Sequence, residues 1–367
     1  LLDEQPADAP MRFPGKVAMR VVNDRPPCLE TPWEYFREEL TPVEAFYVRW
    51  HLQVIPTVVD TRTWRLKVGG AVNTPLELSL DDIHRMPATS IVAVNQCSGN
   101  SRGLSAPPVP GAQWGDGAMG NAKWTGVRLA DILDKTGYGK LKVKVSEVSF
   151  QGLDRGGAAG VPDYIKTLPI AKARDPNVLL AYAMNDQPLP LLNGFPLRVV
   201  VPGWYATYWV KALERIDVLT APHEGFWMKP AYRIPPTPNG NERPDDLAKV
   251  TIPINRVNVR SFFTMPTKMV AVNAPVALQG FAFDGGDGIR SVEVDDGTGW
   301  KAATLGTDLG GFSFRRWKLD WTPSTAGKVT LRVKATSKAG ETQTEVAGWN
   351  RSGYMRNVVE RVTLEVV

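Results

Sequence analysis

The spacing of apolar and polar positions divides the chain into two textures. Up to about residue 235, runs of strand length alternate with short helical patterns. Residues 64–68 alternate with the period of two expected of a half-buried strand and stop at Gly69-Gly70. Residues 91–94, 143–150, 178–184, 195–201 and 216–219 read as further strands, and 165–173 as loop with a short helix. Residues 80–86 predict a helix: Ser79 is placed to cap it, and Asp81 and Asp82 fall in the first turn, where carboxylates suit the positive helix end. Residues 127–136 form an amphipathic pattern ended by Gly137. Residues 30–40 predict a short helix, with Thr31 as cap, Pro32 in the first turn and Glu34 three positions on. Residues 47–54 read as a period-two segment that puts Arg49 and His51 on one face. These two residues suggest an anion or cofactor surface, and a structurally satisfied histidine fits the same pattern.

Residues 234–246 (Ile-Pro-Pro-Thr-Pro-Asn-Gly-Asn-Glu-Arg-Pro-Asp-Asp) are the clearest linker signal. Beyond them, strand patterns recur at short intervals over 250–254, 276–283, 289–294, 312–319, 327–335 and 361–367, separated by Gly- and Asp-rich turns. That spacing predicts an immunoglobulin-like β-sandwich, although the Cys…Trp…Cys pattern of antibody domains is absent.

Composition narrows the function classes. The chain has 367 residues, 43% hydrophobic and 22% charged, enough for two domains with packed cores. No apolar run approaches the ~20 residues of a membrane-spanning helix. The formal charge of +5 is spread along the chain with no basic block, which disfavours nucleic acid and is compatible with a funnel for a small anion. The chain holds two cysteines, Cys28 and Cys97, too few for a disulfide framework.

Cys97 stands out. A β-type run delivers the chain into Gln-Cys-Ser-Gly-Asn-Ser-Arg at residues 96–102, a polar loop at the mouth of a strand. Arg102, five positions on, favours thiolate over thiol, and a thiolate is a soft metal ligand. A buried free thiol accounts for the loop equally well at this point. Between Trp114 and Trp124, glycines and alanines point to a backbone packed closely against something.

Taken in order, these motifs resemble the sulfite oxidase family of molybdenum enzymes. The resemblance runs from about residue 41 to the C-terminus. It rests on Tyr-Val-Arg-Trp-His at 47–51, the Cys97 loop, Trp-Gly-Asp-Gly-Ala-Met-Gly-Asn-Ala-Lys-Trp at 114–124 and Phe-Gln-Gly-Leu-Asp at 150–154. The remaining pieces are Leu-Leu-Ala-Tyr-Ala-Met-Asn at 179–185, Gly-Phe-Pro-Leu-Arg-Val-Val-Val-Pro-Gly at 194–203, Trp-Val-Lys at 209–211 and Trp-Asn-Arg-Ser-Gly-Tyr-Met-Arg-Asn at 349–357. It implies an α+β molybdenum domain over 41–235, preceded by a proline-rich extension over 1–40. A linker over 236–249 and an immunoglobulin-like dimerisation domain over 250–367 would follow.

The resemblance also implies a molybdenum centre held by one pyranopterin and by the thiolate of Cys97. Sulfite would be bound by Arg49, Arg102, Arg356, Tyr232 and Trp114. The pterin would contact Tyr47, Val48, Arg49, His51, Asp154, Asn193, Arg198, Trp209, Val210 and Lys211. Asn193 departs from the pattern, since many relatives carry His there. No Cys-x-x-Cys-His haem site is present and the extension is too short for a haem domain, so the implied electron acceptor is a separate c-type cytochrome. An exported, periplasmic, homodimeric sulfite dehydrogenase fits best. A sulfane dehydrogenase subunit is the nearest rival. A reductase of oxidised methionine usually lacks the C-terminal sandwich, and a non-catalytic binding protein would not need Cys97, Arg49 and Arg102 together.

Overall fold

Among the described residues, three sheets and three short α-helices make the N-terminal domain, and two stacked sheets make the C-terminal one. The computed structural model describes residues 13–264 and 268–367. Residues 1–12 of the expected extension lie outside the described residues. The rest of that extension is built into the domain: Arg20–Asn23 and Cys28–Glu30 pair antiparallel, and Val48–Arg49 completes the sheet with Arg49 opposite Cys28.

The expected helix over 30–40 is instead a single 3-10 turn, Trp33–Arg37, behind Pro32. Thr31 does not cap it. Its hydroxyl donates to the Met119 carbonyl at 2.8 Å and accepts from the Tyr47 N–H at 3.0 Å. The turn is spent on packing. Trp33 meets Phe262 edge-on at 5.7 Å, and Phe36 stacks on Phe281 at 5.3 Å. This aromatic seam joins the domains: Phe262, Phe281, Phe283 and Phe314 of the sandwich belong to the same buried cluster as the N-terminal core.

The second sheet runs Gln187–Pro188, Leu179–Met184, Met119–Arg128, Thr89–Gln96, with Arg198–Val200 also on Leu179–Met184. The third runs Leu76–Leu78, Leu66–Gly70, Leu213–Leu219, Glu147–Gly152, Ile165–Pro169, all antiparallel except Leu213–Leu219 on Leu66–Gly70. Residues 165–169, expected as loop, are thus a strand. The helices behave as their signals predict. Leu80–His84 begins with a full capping box between Ser79 and Asp82, and Leu129–Thr136 ends on left-handed Gly137 (φ 64°).

The sandwich packs Arg260–Phe263, Val276–Phe283, Arg315–Trp321 and Thr304–Leu305 against Met269–Val270, Glu360–Val366, Gly327–Ser337, Ile289–Asp295 and Trp300–Ala302. Residues 250–254, expected to be its first strand, lie outside it. Ile252–Pro253 pairs with Arg233–Ile234 and staples the two ends of the linker together. Pro253 lacks an N–H for a ladder on both sides, which suits this two-stranded ribbon and not a sheet interior. Among the described residues no helix is long and apolar enough to cross a membrane.

Candidate active site

Strand Thr89–Gln96 pairs with Met119–Arg128 in continuous register until Gln96 meets Met119, so Cys97 is the first residue past the ladder. Its N–H still reaches the Ala118 carbonyl at 2.9 Å, and its carbonyl accepts from Asn100 N–H at 3.1 Å. Ser101 turns the loop with a left-handed φ of 70°, and its N–H reaches the Gly115 carbonyl at 2.7 Å. The Asn100 side chain accepts from Ala118 N–H at 2.9 Å. Residues 95–102 are all buried. The loop is a rigid shelf, and the close packing expected between Trp114 and Trp124 forms its back. A Cβ on Gly120 would lie 2.5 Å from the Phe46 ring, and one on Gly117 would lie 2.7 Å from the Thr31 carbonyl.

Arg102 is held in a slot of backbone. Its Nε donates to the Ser352 carbonyl at 2.8 Å and its Nη1 to the Ala112 carbonyl at 3.2 Å. Gly99, Gly111 and Gly353 crowd it so closely that a Cβ on any of them would come within 2.8 Å of an Arg102 side-chain atom.

Cys97 opens into a narrow cavity. Tyr47, Arg49, His51, Asn193, Arg198, Lys211 and Tyr232 line it with Cys97, joined by Asn95, Ser98, Leu192, Ala206 and Thr207. Three cationic side chains and no carboxylate face this space, so it is shaped for an anion. Buried Asn95 Nδ2, Ser98 Oγ and Arg198 Nε have no protein partner. Buried polar groups are normally satisfied, so three orphans around one cavity point to a polar guest.

The cationic wall is scaffolded by its neighbours. Arg198 donates from Nη1 to the Asn193 carbonyl at 2.8 Å and from Nη2 to the Trp209 carbonyl at 3.4 Å, with its guanidinium 4.8 Å from the Trp124 ring centroid. Asn193 donates to the Tyr47 carbonyl at 3.2 Å and accepts from Lys16 Nζ at 2.7 Å. Lys211 Nζ donates to the Arg49 carbonyl at 2.5 Å and lies 4.6 Å from the Trp50 ring centroid. Burial, then repulsion from Arg198, pulls the Lys211 ammonium down to about 7, and Asp154 opposes the shift. Burial pushes the Asp154 carboxyl up to about 6 against the pull of Lys211. Arg49 Nη1 approaches Cys28 Sγ at 3.4 Å, a contact sequence reasoning left out because Cys28 lies far away in the chain.

Opposite the cations stands an aromatic wall. The Tyr232 hydroxyl is hydrogen-bonded to His51 Nε2. His51 stacks on Tyr164 at 3.9 Å, and the Tyr164 hydroxyl donates to the Thr207 carbonyl at 2.8 Å. Lys166 Nζ sits 4.8 Å from the Tyr232 ring centroid. Burial holds the His51 imidazole well below its usual value, helped by Arg49, Lys211 and Lys166. Burial also holds the Tyr232 phenol well above its own. Both are therefore neutral near pH 7.

Eight of the residues singled out from sequence thus share one cavity. Arg102 and Trp114 are not on its wall; Arg102 lies alongside, and fully buried Trp114 accepts the Gly103 N–H at 2.8 Å. Asp154 acts through Lys211. Trp209 and Val210 act through their carbonyls on Arg198 and Val199, and Val48 is core. Arg356 is not on the cavity wall either. Its side chain lies in a separate groove with Glu345, Val358 and Glu360. Left-handed Met355 (φ 60°) turns the chain just before it, and the residue brought to the site is Tyr354. Among the described residues, no group of three or more His, Cys, Asp or Glu is placed to hold a metal. A metal beside Cys97 would need ligands from a bound organic group.

Comparison with known proteins agrees with this chemistry. The oxidoreductase molybdopterin-binding domain model matches residues 51–227, and the Mo-co oxidoreductase dimerisation domain model matches residues 251–367. Mitochondrial sulfite oxidase of Mus musculus is 35% identical over 379 residues, covering 98% of this chain and 67% of that protein. Sulfite oxidase of Arabidopsis thaliana is 30% identical, covering 89% of this chain and 88% of that protein. The crystal structure of the sulfane dehydrogenase SoxCD from Paracoccus pantotrophus superposes with a TM-score of 0.78 at 23% identity, covering all of this chain and 92% of that one, a likeness of fold.

Proposed function

Because this chain belongs to the sulfite oxidase family of molybdenum–pterin oxidoreductases, we propose that it oxidises sulfite to sulfate and passes the electrons to a separate c-type cytochrome. The observation that carries the reading is the carboxylate-free cationic cavity with three orphaned buried polar groups, closed on one side by Cys97. Its donor set fits a pterin with a phosphate tail. Arg198, Lys211 and Asn193 would hold the polar groups of the pterin, Asn95 and Ser98 would supply unpaired polar atoms, and Cys97 Sγ would ligate the metal. When bound, that group supplies the two-electron chemistry by which sulfite and water give sulfate, two protons and two electrons.

The chain's own part is binding and proton handling. Arg49 and Arg102 present planar guanidinium groups suited to an oxyanion. Arg102 is preorganised, because the Ser352 and Ala112 carbonyls and three glycines leave it little freedom. The Tyr232 hydroxyl and His51 Nε2 form a hydrogen-bonded pair, which can pass on a proton released at the site by giving one up at its far end as it takes one at the near end.

Relatives at 30–35% identity include sulfite oxidases of Mus musculus and Arabidopsis thaliana, which favours sulfite over a carrier-bound sulfane. A homodimer built on the C-terminal sandwich and a periplasmic location belong to the same proposal. The test is a substrate screen of molybdenum-loaded protein with ferricyanide, then with a c-type cytochrome. Sulfite-dependent reduction of both acceptors is expected. Turnover of carrier-bound sulfane with none of sulfite would overturn the proposal.

A further inference from the structure

The C-terminal domain reaches over the Cys97 shelf with residues 350–355, between strands Gly327–Ser337 and Glu360–Val366. The segment is fixed from within: Asn350 Oδ1 accepts from Ser352 N–H at 3.2 Å and Tyr354 N–H at 3.0 Å, and Asn350 Nδ2 donates to the Tyr354 carbonyl at 2.8 Å. It is also fixed to the shelf. Met355 N–H reaches the Ser98 carbonyl at 3.2 Å, one residue past Cys97, and the Ser352 carbonyl receives Arg102 Nε. These bonds place the Tyr354 ring parallel to Tyr232, with centroids 5.6 Å apart and planes 5° apart, and 5.2 Å from the Arg102 guanidinium carbon.

Among the described residues, the hydrogen bonds of Tyr354 run through its backbone and its hydroxyl has no protein partner, nor is it among the fully buried orphan atoms. A ring held by the C-terminal domain beside both Tyr232 and Arg102, with a hydroxyl that no protein group engages among the described residues, is more than packing. A phenylalanine would stack as well.

Resting on the sulfite reading, we propose that Tyr354 is a substrate-positioning residue that donates its hydroxyl to an oxygen of the bound sulfur oxyanion, beside Arg49, Arg102 and Tyr232. The C-terminal domain thereby supplies part of the anion specificity. The arrangement favours a small tetrahedral or pyramidal oxyanion, which can accept from several donors at once.

Tyr354→Phe keeps the ring, the stack and the fold, and removes only the donor. In molybdenum-loaded protein the variant should show a KM for sulfite about 10- to 150-fold higher, the size of one hydrogen bond to a charged acceptor, with kcat within about twofold. Sulfate binding, read by calorimetry on the same protein, should weaken by a similar factor. A Tyr354→Phe variant with wild-type KM and wild-type sulfate affinity overturns the proposal. Should the wild type fail to turn over sulfite, the functional reading falls, and the sulfate affinities of the two proteins still decide the role of Tyr354.

Discussion

Gly99→Ala puts one methyl group into the Arg102 slot and leaves every ligand-bearing residue in place. The new Cβ would lie 2.4 Å from Arg102 Nη2 and 2.5 Å from its Cζ. Regaining ordinary contact requires the guanidinium to retreat by about 1 Å. It has nowhere close to go. On its other sides Gly111 and Gly353 approach so tightly that their own Cβ positions would fall 2.8 Å from Nη1 and 2.7 Å from Cγ. A shift of that size also stretches the 2.8 Å bond to Ser352 and the 3.2 Å bond to Ala112 past useful length. Losing one correctly aimed charged hydrogen bond costs about 1.5–3 kcal/mol, so kcat/KM for sulfite should fall about 10- to 150-fold. The backbone at Gly99 does not require a glycine φ, so the variant should fold and load molybdenum normally. Steady-state kinetics with ferricyanide, normalised to molybdenum content, read the effect. Gly139→Ala is the matched control, since nothing lies within 4 Å of that Cβ position. A fully loaded Gly99→Ala enzyme with wild-type kcat/KM would refute the claim that the slot positions Arg102 for the substrate.

Two further predictions come from the same structure. Arg260 is fully buried between the domains, bonded to Glu360 at 2.6 Å and Ser101 at 3.0 Å and 3.5 Å from Asp116, so Arg260→Met strands two carboxylates. It should cost about 3 kcal/mol in denaturant unfolding, the low end for a broken buried pair because Asp116 is 29% exposed, and an unchanged midpoint would contradict the account. Lys211 sits at about 7 in the folded, cofactor-free protein against an ordinary 10.5, so the unfolded chain holds more protons between those values and its contribution to folding stability rises with pH across that window. Anion binding has the opposite sign, because it needs the charged ammonium. Affinity for inorganic pyrophosphate should therefore weaken by up to about tenfold per pH unit above about 7, and Lys211→Met should flatten the profile; a profile equally steep in the variant would remove Lys211 from the phosphate wall.

Much of the site was legible because its chemistry sits where a core would not put it. Cys97, Ser98, Asn100 and Arg102 are polar residues at the end of an apolar strand, and the structure buries them on a shelf. Arg49 and His51 were placed together by a period-two pattern. They do share the cavity, although only Val48–Arg49 is strand and the chain turns immediately after it. What the sequence hid depends on contacts between distant segments. Lys16 and Cys28 lie in a stretch that reads as loose extension, yet they hold Asn193 and touch Arg49. Tyr354 and Arg356 are two residues apart, and a left-handed turn at Met355 decides which of them reaches the site. No local signal marks a non-glycine residue with positive φ. The strand expected at 250–254 illustrates the same limit, since its partner, Arg233–Ile234, lies on the far side of the linker.

The central claim is that Cys97 Sγ holds the redox metal at the floor of this cavity while the cationic wall holds the pterin independently. Sulfite-dependent reduction of ferricyanide by Cys97→Ser protein, measured beside its bound pterin, tests it most directly. The account predicts pterin retained at the wild-type level with turnover abolished. A Cys97→Ser protein that oxidises sulfite at the wild-type rate would contradict it.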